Sequence, residues 1–239
     1  MPGPESKGVG NFWYSFDYGL AHFISIDGET DFPYSPEWPF IRDNSDGQPT
    51  ESQTYVTDSG PFGEIDGNQW KVASAYQQLQ WLKADLAAVD RSKTPWVIAM
   101  THRPMYSSEV SSYQSNVRMA FEPILLEYNV DVYLSGHIHW YERLWPLNNN
   151  TIVKGNVIDS NTYLTGNGKA LTHVINGMAG NIESHSTLGT EPVLNITAVL
   201  DQEHYGFSKF TFHDAQHATW QFVKGDGSGI GDTLNLVRN

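Results

Sequence analysis

Apolar and polar positions alternate in two short runs near the start of the chain, Trp13–Tyr18 and Ala21–Ile26. Gly19-Leu20 between them suits a tight II′ turn, so the pair predicts a hairpin over residues 12–27. Residues 28–70 lack a period and are rich in Pro, Gly, Ser, Asp and aromatic residues, which predicts a long surface loop, a candidate site rim. A helix is expected next: Ser74 and Gln77 form a capping-box pattern, and Tyr76, Leu79, Leu82, Leu86 and Val89 form one apolar stripe. Trp96–Met100 is a continuous apolar run after Pro95, the pattern of a strand buried on both faces. A second helix is predicted over about residues 115–129, with Pro123 expected to kink or restart it. Residues 131–134 form another buried strand, which runs into Ser135-Gly136-His137-Ile138-His139.

This is strand–helix–strand order, with polar residues delivered at strand ends, where open α/β sheets place their sites. Beyond Pro146 the pattern loosens into an Asn-, Gly- and Thr-rich stretch to residue 170 with at most a short strand. His173–Asn176 leads into Gly177-Met178-Ala179-Gly180-Asn181. Residues 207–212 and 219–223 pair as a terminal hairpin across Asp214–His217, and Gly225–Gly229 is a further turn.

Composition narrows the chemistry. The 239 residues carry 14 Lys+Arg against 27 Asp+Glu, a formal charge of −13, which disfavours general nucleic-acid binding. No apolar stretch is long enough to span a membrane as a helix. With no cysteine, disulfides, thiolate zinc sites and cysteine nucleophiles are excluded. Any positive charge at a phosphate site must be local, and a metal is its obvious source. Residues 1–8 lack the charge and apolar pattern of a signal peptide. Two sequons, at Asn149 and Asn195, favour an extracellular or lumenal setting as glycosylation sites.

His137 and His139 are separated by one residue in a turn where Gly136 permits an unusual φ, so both can face one point. The competing reading is a pair of surface or hydrogen-bonded histidines. His102 also ends a buried strand; if the two strands are parallel neighbours, three imidazoles reach one edge, and a metal satisfies them together. Asp27 closes an apolar run but is read as a turn or cap residue, and the other six histidines as structural. No Gly-x-Ser-x-Gly elbow and no nucleotide-type Gly-rich loop is present.

Ser135-Gly-His-Ile-His-Trp-Tyr-Glu-Arg143 resembles the Gly-His-x-His block of purple acid phosphatases, which continues into Tyr-Glu-Arg. Val97-Ile-Ala-Met-Thr-His102 is similar to the preceding Val-x-x-His block, with Ala99 in place of the usual Val. The likeness extends through Trp13–Glu29, Gly177–His185 and Tyr205–Lys209, nearly the whole chain, and is greatest to the fungal secreted branch.

The resemblance implies phosphate-monoester hydrolysis by a dinuclear site of Fe(III) with a divalent Zn, Mn or Fe, held by seven side chains. It places His139 on the trivalent ion and His102 and His137 on the divalent one. It also implies an α/β fold, part of a four-layer α-β-β-α sandwich. Residues 1–147 would be the later part of the catalytic domain, and residues 148–239 the C-terminal region completing the sandwich.

The family's Gly-Asp-x-Gly, Gly-Asp-x-x-Tyr and Gly-Asn-His-Asp/Glu blocks do not occur in their places; Gly225-Asp226 and Gly231-Asp232 lie too late. The expectation is therefore a C-terminal portion of a secreted phosphatase, with Met1 an interior position and the signal peptide elsewhere. Its partners would be a small phosphate ester and a missing N-terminal half that supplies four ligands. Alone it should be nearly inactive and should expose sheet edges. A fragment without catalytic role is the alternative, and a carbohydrate-binding module, suggested by 8 Trp and 12 Tyr, a third.

Overall fold

The computed structural model describes residues 6–8, 12–29, 31–32 and 77–238. The expected cap at Ser74, the stripe residue Tyr76 and most of the expected 28–70 loop lie outside these residues.

The predicted hairpin forms as β1 (Tyr14–Tyr18) and β2 (Ala21–Ser25), with Tyr18 paired to Ala21 and Gly19 at φ +58°. Helix α1 (Gln77–Ala88) buries Leu79, Leu82 and Leu86 of the predicted stripe and Trp81 besides. Strand β3 (Trp96–Thr101) follows, then helix α2 (Ser112–Glu127) and β4 (Val132–Ser135). Helix α2 does not restart at Pro123, as the sequence had suggested; it is continuous across it. Buried Val117, Phe121, Ile124 and Leu125 on either side of the proline anchor the helix to the core. Tertiary packing offsets the lost backbone bond.

The remaining strands are β5 (Tyr141–Leu144), β6 (Leu147–Asn148), β7 (Thr151–Ile152), β8 (Val157–Asp159), β9 (Thr162–Thr165) and β10 (Thr172–Asn176). They are followed by β11 (Thr197–Asp201), β12 (Gly206–Phe212), β13 (His217–Lys224) and β14 (Ile230–Arg238). The hairpin predicted near the end is β12–β13, and the Gly225–Gly229 turn joins β13 to a strand the pattern had not announced.

Seven strands form one mixed sheet in the order β1-β2-β3-β4-β10-β5-β11, and five form a second, β12-β13-β14-β9-β8. β2, β3, β4 and β10 run parallel, which makes β3–α2–β4 a crossover unit. The sides of β3 alternate: Val97 and Ala99 join the core under the two helices, while Trp96 and Ile98 join the core between the sheets. That two-sided burial is why the run reads as uninterrupted apolar sequence. Ala218, Trp220, Phe222, Leu234 and Leu236 face it from the second sheet. The described residues therefore provide helix, sheet and sheet layers.

The core between the sheets is incompletely covered. Phe23, Met100, Leu134 and Val199 on the first sheet, with Phe210 and Phe212 on β12, are only partly buried. β1, β11, β12 and β8 are the terminal strands of their sheets. No helix among the described residues is long and apolar enough to cross a membrane.

Candidate metal centre

β3 and β4 are adjacent and parallel, with Thr101 opposite Ser135, so the segments leaving both strands emerge side by side. The Gly136 amide donates to the carbonyl of His102 (3.0 Å) and ties the two exits together. Two tight turns follow, Ile138 N to Gly136 O (2.7 Å) and Trp140 N to Ile138 O (2.9 Å). The left-handed residue in this turn is His137, at φ +61°, rather than Gly136. A non-glycine residue held there is strained, and such strain persists where the surroundings fix it.

The turn brings His137 Nδ1 to 2.9 Å from His102 Nε2. Arg103 places its NH1 group 3.1 Å from His137 Nε2. A guanidinium only donates, so the neutral His137 ring accepts at Nε2 and carries its proton on Nδ1. That proton is donated to His102 Nε2. Glu29 holds Arg103 in place, accepting from Nε at 2.8 and 2.9 Å. The Tyr113 ring packs against the guanidinium, 4.6 Å from Cζ to centroid, and edge-on against His137 at 5.4 Å. Glu29 also lies 3.8 Å from His102 Nε2.

Burial, and then the charge of Arg103, push the His137 imidazole down to about 4. His102 is lowered for the same first reason. Both rings are therefore neutral, ligand-competent bases near pH 7.

His139 stands slightly apart. Its Nδ1 lies 3.2 Å from the carbonyl of Ser184, which only accepts, so Nδ1 bears the proton and Nε2 the lone pair. Ser186 clamps the backbone of His139 in both directions: its hydroxyl accepts from His139 N (3.1 Å), and its amide donates to His139 O (2.9 Å). Gly177 lies against this turn so closely that a Cβ would sit 2.1 Å from the Ile138 carbonyl oxygen.

These donors fit metal ions. Two nitrogens bound about 2.0–2.1 Å from one tetrahedral ion are about 3.3 Å apart, so His102 Nε2 and His137 Nδ1, hydrogen-bonded at 2.9 Å, would have to separate by only a few tenths of an ångström to share one. A backbone carbonyl on Nδ1 with a lone pair on Nε2 is the usual support of a metal-binding histidine. Among the described residues no three His, Asp or Glu side chains converge on one point.

The other histidines have structural partners. His22 bridges Asp17 and Asp85, His204 pairs with Asp201, and His217 with Asp214. His213 meets Thr219, His185 packs on Tyr205, and His173 is enclosed by Tyr106 and Tyr133. Asp27 is a turn residue that accepts from the Glu29 amide at 2.8 Å. The sequon residues Asn149 and Asn195 are both exposed. Glu29, Arg103 and Tyr113 escaped the sequence reading; the one available signal was that Arg103 directly follows His102 in the same block.

A family model described as Calcineurin-like phosphoesterase matches residues 10–141, and one described as Iron/zinc purple acid phosphatase-like protein C matches residues 170–233. An acid phosphatase of Aspergillus ficuum is 60% identical over 242 aligned residues, covering 100% of this chain and 39% of that protein. Acid phosphatase A of Cryphonectria parasitica is 36% identical, covering 95% of this chain and 39% of its own length. The chain thus spans about two-fifths of the length of these relatives. A purple acid phosphatase structure from yellow lupin seeds superposes with a TM-score of 0.64 at 22% identity, covering 95% of this chain and 33% of that one. At that identity the likeness speaks for the fold.

Proposed function

Because the chain belongs to the calcineurin-like phosphoesterase family, matched over more than half its length, we propose that it is the histidine-bearing portion of an acid phosphatase that hydrolyses phosphate monoesters. The observation that carries this reading is the 2.9 Å approach of His102 Nε2 to His137 Nδ1. These two nitrogens would hold the divalent ion (Zn, Mn or Fe) and His139 Nε2 the Fe(III). Such a pair of ions supplies Lewis-acid polarisation of the phosphoryl oxygens.

The chain's own residues set up that chemistry. Burial lowers both imidazoles, His137 to about 4, and so favours their neutral, ligand-competent forms, Ser184 fixes the donor atom of His139, and the Glu29–Arg103 pair orients a permanent cation beside them. Residues outside this chain would supply the other four ligands, so the chain alone should turn over substrate negligibly. The half-covered Phe23, Met100 and Leu134 and the terminal strand β12 support a further, N-terminal partner segment packing there. The exposed sequons support a secreted glycoprotein.

Metal analysis tests the reading. The wild-type chain should bind zinc weakly in equilibrium dialysis, and His102→Ala should lose the ion shared with His137. Unchanged metal content in His102→Ala would favour a fragment without catalytic role. Brisk hydrolysis of a chromogenic phosphate ester by the chain alone would overturn the division of ligands.

A further inference from the structure

A cavity of about 430 Å³ opens between two segments that both start at the histidines. One wall is residues 108–110, which lie in the chain between His102 and Tyr113, the ring packed edge-on against His137. The other is residues 187–194, which continue directly from Ser186, the clamp on the His139 backbone. Leu188 in this wall packs on the cluster that contains Ile138 and Trp140, on either side of His139. The walls are fixed by hydrogen bonds. The Leu194 amide donates to Ser108 Oγ at 3.1 Å, and the Ser108 amide donates to the buried carboxylate of Glu142 at 3.0 Å. A turn closed by the Glu191 amide on the Leu188 carbonyl, at 3.0 Å, shapes the far wall. The cavity is therefore built into the fold next to the metal centre.

Shape and charge define what it takes. Its volume is that of a site for a small organic molecule, and Val110, Leu188 and Leu194 give it apolar sides. Val110 is 74% exposed, so this apolar surface lies open to a ligand. The charges in the lining are Glu109 and Glu191, both exposed and neither in an ion pair among the described residues. No Lys or Arg among the described residues lines the cavity. Apolar sides favour a carbon body, and two carboxylates attract positive charge and repel negative charge. A phosphate ester has two ends, and one whose phosphoryl group lies at the histidines has this cavity beside it for the other end.

We propose that the cavity receives the alcohol part of the phosphate ester, and that Glu109 and Glu191 select alcohols with an apolar body and a basic amine over those with further anionic groups. This rests on the phosphatase reading above and names a substrate class for it. Alcohols that carry additional phosphates bring negative charge to the same two carboxylates and are disfavoured.

The test uses the full chain and three alcohols of one shape: tyramine, which is cationic, para-ethylphenol, which is neutral, and para-hydroxyphenylpropionate, which is anionic. Binding is read from the methyl resonances of Val110, Leu188 and Leu194 in nuclear magnetic resonance titrations. Tyramine should bind tightest and the propionate weakest, spanning roughly tenfold at low salt, a few-fold for each exposed carboxylate. The span should shrink at high salt. The double variant Glu109→Gln, Glu191→Gln should bring the three affinities together. Zinc should tighten binding of the phosphate ester of tyramine and leave tyramine itself unchanged. Equal affinities in the wild type, an order that survives the double variant, or shifts that spare these three residues overturn the selection. Zinc uptake with no zinc-dependent gain for the ester overturns the placement of the alcohol here and leaves the metal reading standing. A chain that takes up no zinc overturns the metal reading, and with it the part given to the cavity.

Discussion

His173 should make this chain sensitive to acid, and the size of the effect follows from its surroundings. The ring lies in β10, 2% exposed, edge-on to Tyr106 (5.0 Å between centroids) and tilted against Tyr133 (5.5 Å). Its Nε2 has no hydrogen-bond partner among the described residues. Burial alone pushes the imidazole from 6.5 down to about 3. A base depressed in the folded state contributes full stability above its unfolded value and loses it as pH falls. At pH 4 the unfolded ring is 2.5 pH units below its own midpoint of 6.5 while the folded ring stays neutral. At about 1.4 kcal/mol per pH unit, that costs about 3 kcal/mol, with about half of it already gone near pH 5.5.

His173→Phe removes the titration and keeps a flat ring between the tyrosines. Overpacking costs the variant about 1–3 kcal/mol at neutral pH, but that cost does not vary with pH. Urea unfolding of both proteins from pH 7 to pH 4 isolates the difference, because every other titrating group is common to both. Wild type should lose about 3 kcal/mol relative to the variant across that range. Parallel curves would refute the account of the buried ring.

Three further outcomes are expected. Glu142 is fully buried and accepts from Ser107 Oγ, Ser108 N, Thr197 Oγ1 and Trp140 Nε1, so Glu142→Ala should cost about 3 kcal/mol or more in urea unfolding by stranding these donors. Gly177→Ala forces its Cβ onto the Ile138 carbonyl, so zinc titration should show weakened affinity even if far-ultraviolet circular dichroism is unchanged. Burial lowers the His22 imidazole, but Asp85 and Asp17 outweigh it and hold the group above 6.5. The contribution of this clip is therefore complete below 6.5 and fades as pH rises through the raised value, so His22→Gln should destabilise more at about pH 5.5 than at about pH 8.5.

The legible parts of the fold were those in which one side-chain character decides the element. The β3 run, the α1 stripe and the Gly19 turn are of that kind, and from them came the parallel pair that brings His102 to His137. β5 was missed because Tyr-Glu-Arg-Leu shows no strand period. Its two charges are buried only because distant residues satisfy them, Ser108 and Thr197 on Glu142, and Asp232 on Arg143 at 2.6 Å. β14 was missed because its alternation is interrupted by Gly231 and Asp232, and Asp232 is the partner of Arg143. At the site, three histidines announced themselves through type and spacing. Glu29 was invisible, since the 74 residues separating it from Arg103 carry no local mark of their ion pair. The left-handed φ fell on His137 rather than Gly136 because the two tight turns, not residue type, set that backbone.

The crossover from β3 through α2 to β4 has a kinetic meaning. His102, His137 and His139 all belong to one continuous stretch, and their approach requires closing only the α2 connection. Loop-closure entropy grows slowly with length and is modest here. Joining β9 to β14 instead brings Thr162 to Asn235, far apart in the chain, and must come late in folding. The histidine pair can thus be assembled before the second sheet docks. If His102 and His137 hold zinc as proposed, zinc present during refolding should accelerate the productive phase as well as stabilise its end point, because both residues lie in the part of the chain that organises early.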